Sequence, residues 1–180
     1  MRVIAAIALI ALGLLFAPLV APAAEVPKEL AAAVAAAEKD GRALFEAARG
    51  PVPAEQAVNE ARKRIANFCA YGYRPVVVSL HGKSAVYFLG RSSQPEEIVF
   101  GRHFKVVGAK VIQSTNACVT SGPIPPNAVA GYVAHLLSPA PSEFHVYFSM
   151  AHNKAMFVGT SAGNWLVQNG EIRFLQDRKR

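Results

Sequence analysis

Acidic residues are scarce in this chain and become scarcer along it: after Glu97 only Glu143, Glu171 and Asp177 remain. Glycoside hydrolysis needs two carboxylates flanking one bond, and the second half offers little for such a pair. The five histidines, His81, His103, His135, His145 and His152, stand singly. None falls into H-x-H, H-x-x-x-H or H-E-x-x-H, the spacings that announce a zinc site. Strand pairing could still bring His81 or His103 to His145. No glycine-rich phosphate loop and no Ca²⁺ loop occurs, so neither a metal nor a cofactor is expected. Nucleic-acid-binding motifs are missing too.

Cysteine is limited to Cys69 and Cys118. No cysteine-protease signature surrounds either one. An even pair in an exported chain points to a Cys69–Cys118 disulfide.

The N-terminus carries the export signal. Met1-Arg2 gives a positive start, Val3 to Phe16 is apolar, and Ala21-Pro22-Ala23 is a small-x-small cleavage site. The expectation is a signal peptide over 1–23, removed before Ala24, with a retained membrane anchor as the competing reading. Residues 24–180 are then one α+β domain: a helical front over 24–72, then a sheet region over 73–180 with one inserted helix. The implied location is the periplasm or the outside of the cell.

Charge divides along the same line. The chain has 19 basic and 12 acidic residues, a net of +7. Acids outnumber bases between Glu25 and Glu60, and bases dominate from Ala61 onward. Lys83, Arg91, Arg102, Lys105 and Lys110 fall in or beside predicted strands and turns. They make a candidate basic face for an acidic envelope protein or polymer. Basic runs at Arg62-Lys63-Arg64 and Arg178-Lys179-Arg180 read as a solvated helix face and a tail.

Local patterning sets the elements. Val26, Leu30, Val34, Ala37, Leu44 and Ala48 recur at helical spacing in an alanine-rich stretch; Gly41 threatens to split the helix, and Gly50-Pro51 ends it. Pro53 can open a second helix with a stripe of Val58, Ala61, Ile65 and Phe68. Strands are expected over 75–80, 85–89, 98–100, 104–107 and 111–113, with His81-Gly82-Lys83-Ser84 as a turn. The loop of residues 121–126 leads to a third helix, from Pro126 through Leu137. Phe144, Val146, Phe148 and Met150 alternate with polar residues and read as a strand. Ala155 to Val158 is a short apolar run, and Trp165–Gln168 meets Glu171–Phe174 across Asn169-Gly170. That dipeptide supplies the two positive φ angles of a type I′ turn, which sets Val167 opposite Ile172 and Trp165 opposite Phe174. Tyr71, Tyr73, Tyr87, Phe88, Phe100 and Phe104 read as core aromatics. The fold class is therefore α+β: a mostly antiparallel sheet, two N-terminal helices and one mid-chain helix packed on it.

Gly159-Thr160-Ser161-Ala162-Gly163 matches the nucleophile elbow of serine hydrolases. That motif should turn from a strand into a helix, yet a strand and a hairpin follow here, and no histidine lies downstream. Three functional classes remain open. The first is a non-enzymatic binding or accessory module, inhibitor- or immunity-like. The second is a hydrolase using Ser161. The third is a protein binding a small apolar ligand between helices and sheet.

Overall fold

Alanine, leucine and straight-chain residues carry the first element, helix α1 (Lys28–Ala48), in one uninterrupted run of 21 residues. Gly41 does not split it. A Cβ at Gly41 would collide with the Val146 side chain, so this glycine lets the later helix that carries Val146 pack directly against α1. The computed structural model describes residues 24–94, 97–119, 125 and 127–177. The expected signal peptide, the 121–126 loop (save Pro125), Pro126 and the Arg178–Arg180 run lie outside the described residues.

After α1 comes a short helix, α2 (Glu55–Arg62). The expected stripe runs past its end: Ile65 is buried in one cluster with Val58 and Ala61, and Phe68 packs against it, though neither is helical. Four strands follow: β1 (Gly72–Leu80), β2 (Lys83–Arg91), β3 (Phe104–Val107) and β4 (Lys110–Gln113). They form one antiparallel sheet in chain order. His81 and Gly82 take φ of 50° and 74°, and Leu80 pairs with Lys83, so the first hairpin has a two-residue turn. Ile98–Phe100 forms no strand.

The middle of the chain departs from the sequence reading. The span expected as a third helix holds strand β5 (Ala130–Ala134), and the span expected as an alternating strand is helix α3 (Glu143–His152). Ser142 and His145 form a capping box at the start of α3, and Asn153, in the left-handed region, ends it. Phe144, His145, Val146, Phe148 and Ser149 are all buried. A helix covered on most sides loses its one-sided periodicity, so its apolar residues also fit a period of two. The sequence β5–α3–β6 is a crossover unit, which places β5 parallel to β6 (Ala155–Gly159).

β6 pairs with β7 (Gly163–Gln168), and β7 with β8 (Glu171–Asp177), to complete a second four-stranded sheet in the order β5-β6-β7-β8. The Asn169-Gly170 hairpin keeps the expected register: Gln168 faces Glu171, Val167 faces Ile172, and Trp165 faces Phe174. The fold is thus α+β and mostly antiparallel, with two N-terminal helices and one mid-chain helix.

α1 and α3 lie between the two sheets. A single core joins Leu44 and Val146 of the helices to Val76, Tyr87 and Leu89 of the first sheet and to Val158, Trp165 and Phe174 of the second. Full burial of such side chains contributes about 1.5–3 kcal/mol each. Two polar residues of α1 hold the hairpin tip: Arg42 donates to Gly170 O at 2.6 Å, and the Ile172 N–H donates to Glu38 at 2.7 Å. The outer face of the first sheet is closed by Val58, Ala61, Ile65 and Phe68 against Val86, Phe88 and Phe104. Cys69 and Cys118 are joined, with Cα atoms 5.6 Å apart, and their bond brackets β1 to β4. No described helix is long and apolar enough to cross a membrane.

Candidate functional site

Side chains alternate across a strand, so Arg74 of β1 shares a face with Val76, Val78 and Leu80, and Arg91 of β2 shares that face with Tyr87 and Leu89. This is the face that packs on α1 and α3. Both helices end, at Ala48 and His152, beside this end of the sheet, and there the two rows change from apolar residues to arginine. Arg74 pairs with Leu89 and Arg91 with Gly72, so the arginines are diagonal neighbours. The result is a cleft of about 370 Å³. Arg49, which caps α1, stands at its edge with the two strand arginines, and Phe45, Leu89, Val99 and Phe148 supply apolar wall.

The electrostatics of the cleft are unbalanced. Arg49 lies over the Phe45 ring at 5.4 Å and 3.9 Å from the Glu46 carboxylate. Glu97 accepts a hydrogen bond from the Ser92 hydroxyl. Among the described residues no carboxylate pairs with Arg74 or Arg91. Burial raises the pKa of the Tyr147 phenol, while Arg74 and Arg91 pull it the other way, so both guanidiniums act on that hydroxyl. Two adjacent, uncompensated cations next to a phenol form an oxyanion-binding arrangement.

The other expected basic residues are dispersed. Lys83 opens β2 and Arg91 closes it, which sets them about 26 Å apart along the strand. Lys110 is exposed at the start of β4. The Arg102 guanidinium donates to the carbonyls of Asn67 and Asn116, on the two chain segments next to the disulfide. Lys105 is committed to a clamp: its ammonium is 3.1 Å from Asp40 and 3.0 Å from Glu143. Burial works against that ammonium, but Glu143 and Asp40 outweigh it and hold its pKa above the usual lysine value. His81 approaches the other oxygen of Asp40 at 3.3 Å. Of the five residues, only Arg91 lines the cleft. Arg74 and Arg49 escape a search for basic runs. The signal that finds Arg74 and Arg91 is parity: each occupies an apolar-row position of its strand.

A second, smaller cavity of about 200 Å³ lies where the sheets meet, and it gathers three histidines. His103 comes from the loop before β3, His135 follows β5, and His145 belongs to α3. His103 is fully bonded: the Gly90 N–H donates to its Nδ1 at 2.8 Å, and Nε2 donates to Val99 O at 2.8 Å. His145 Nδ1 accepts the Ser142 N–H at 3.0 Å, which leaves the proton of the neutral ring on Nε2. The His135 and His145 rings meet edge to face at 4.7 Å. Burial lowers the pKa of all three, to about 4 for His103 and about 3 for His145, where the His135 ring adds to the effect. Neither bonded histidine has a free lone pair for a cation, and among the described residues no group of three or more potential ligands is placed to hold a metal. His81 stays with Asp40, away from this group.

The Gly159–Gly163 loop connects β6 to β7, so a strand follows where an elbow requires a helix. Ser161 is exposed. The buried hydroxyl is its neighbour's: Thr160 donates to Pro139 O at 2.7 Å and accepts from the Trp165 indole N–H at 3.0 Å. The loop anchors the core tryptophan, a role the sequence motif conceals.

Set against known protein families, characterised proteins and solved structures, the chain matches none.

Proposed function

We propose that the protein is an exported, non-enzymatic binding module that meets an acidic partner of the cell envelope, a protein or a polymer, through the arginine cleft. The observation that carries this is the pair Arg74 and Arg91, side by side in otherwise apolar strand rows with no carboxylate partner among the described residues. Like charges at neighbouring strand positions repel, and an arriving anion removes that cost. The disulfide fits an oxidising compartment, as does the sequence reading of a cleavable signal.

Retention of poly-glutamate on the immobilised protein tests the reading. Retention is expected to fall between 0.1 M and 1 M salt, as the Debye length shrinks from about 10 Å to about 3 Å. Arg74→Ala combined with Arg91→Ala should abolish it, and Lys83→Ala with Lys110→Ala should leave it nearly unchanged. Salt-independent retention, or equal loss in both double variants, would place the interface elsewhere.

A further inference from the structure

Charge and shape in the cleft narrow the group that enters it. Three guanidiniums border it, from Arg49, Arg74 and Arg91. Two carboxylates stand against them: Glu97 in the wall, and Glu46 beside Arg49. Summed over the described residues, the cleft carries a net charge of one positive unit. His152, also in the wall, adds nothing near neutral pH, because burial lowers its pKa. This excess lies with Arg74 and Arg91, neither of which pairs with a described carboxylate, and the Tyr147 hydroxyl is also at hand. A single planar oxyanion can receive paired N–H donors from a guanidinium and an O–H from a phenol. The remaining wall is hydrocarbon: Phe45, Leu89, Val99 and Phe148. A volume of about 370 Å³ falls in the range of clefts that hold a small organic molecule or the end of a peptide.

We infer that the cleft binds a monocarboxylate carried directly on an apolar body, its carboxylate between Arg74 and Arg91 and its body against Leu89, Val99 and Phe148. This rests on the reading of the cleft as the binding site and adds the chemistry of what enters. A phosphate monoester, with close to two charges, exceeds the net charge of the described cleft residues. A free amphipathic acid and the carboxyl terminus of a peptide ending in an apolar residue both present the required group.

Isothermal titration of the whole protein separates these cases. The probes are 4-phenylbutanoate, 4-phenylbutanamide, 4-phenylbutyl phosphate, and a short peptide ending in phenylalanine with its terminus free or amidated. 4-Phenylbutanoate or the free-terminus peptide should bind, each amide at least tenfold more weakly than its acid, and the phosphate no more tightly than the carboxylate. The stronger of the two acids identifies the source. Arg74→Met with Arg91→Met should weaken the acids at least tenfold, in a protein whose thermal melt is unchanged or higher, since a repulsive pair has gone. Arg74→Lys, which keeps the charge but loses the paired donors, should fall between wild type and the double variant.

Equal binding of acid and amide would overturn the inference, as would a phosphate bound tenfold more tightly than the carboxylate or an undiminished double methionine variant. Poly-glutamate keeps the two readings distinguishable. If it is retained through Arg74 and Arg91 while no probe binds, the monocarboxylate assignment falls and the acidic-partner reading stands. If poly-glutamate too is indifferent to both arginines, both readings fall.

Discussion

The two four-stranded sheets share one helical filling yet are finished differently on their far sides. In the first, β2 is buried on both faces: Ala85, Tyr87 and Leu89 look toward α1 and α3, and Val86 and Phe88 look toward α2 and the segment after it. In the second, Met156, Val158, Trp165 and Val167 are buried or nearly so, but the opposite face carries Tyr132 at 66% exposure and Phe157 at 41%. A doubly covered strand such as β2 has its positions fixed from two sides. That explains why the cleft with its two strand arginines is built at the end of the first sheet, where the rows are rigid and the helices run out. The second sheet presents side chains on a single supported layer.

The sharpest way to break the pairing of the sheets is acid. The histidine cavity is the seam: His103 comes from the first sheet's side, His135 from the second's, and His145 from the helix between them. Their folded pKa values lie below the unfolded value of about 6.5. The unfolded chain therefore takes up protons that the folded one refuses. The histidines' stability contribution is complete above pH 6.5 and declines as pH falls toward 4, by as much as about 1.4 kcal/mol per histidine per pH unit. Denaturant melts from pH 7 to pH 4 should show a steep loss, and His145→Asn should flatten the slope. An unchanged slope in that variant would remove His145 from the seam.

A matched pair of truncations sharpens the contrast between the faces. Phe88→Ala empties a fully buried site under α2 and should cost about 4 kcal/mol. Phe157→Ala, on the open face of the second sheet, should cost less than about 1 kcal/mol. Equal losses in urea unfolding would mean that the open face is covered in solution.

The covalent tie tests whether the two sheets open separately. Replacing Cys69 and Cys118 together by alanine frees a loop of 49 residues, and the loss should be about 4 kcal/mol, measured by thermal melting. Because the bond encloses only the first sheet, amide exchange should speed up in β1–β4 more than in β6–β8. Uniform acceleration would show that the two sheets open as one unit.

What the sequence revealed follows this division. Positions with one covered side were readable: the hairpin register across Asn169-Gly170, the apolar stripe of α1 and the Val76–Leu80 row of β1. The cysteine pairing was readable because no other partner existed. Elements wrapped on every side were not. α3 sits between two sheets and against α1, so its apolar residues obey no single period, and only Ser142 with His145 at one end and Asn153 at the other marked it as a helix. β5 was obscured because Ala130 and Ala134 favour a helix while Tyr132 and Val133 favour a strand, and its strand geometry depends on β6, twenty-odd residues downstream. The cleft was half visible: Arg91 stood out as a charge, while Arg74 mattered for its parity and Arg49 for its place at a helix end.

The disulfide joins residues immediately outside β1 and β4, and the whole first sheet lies within the ring it closes. A pulling force along the chain, from α1 toward β8, therefore runs from Cys69 to Cys118 through the sulfur bond and bypasses all four strands. Under tension, α1 and the second sheet extend first, while the strands bearing Arg74 and Arg91 stay slack. Such a bypass keeps the floor of the cleft assembled after the rest of the molecule has begun to yield.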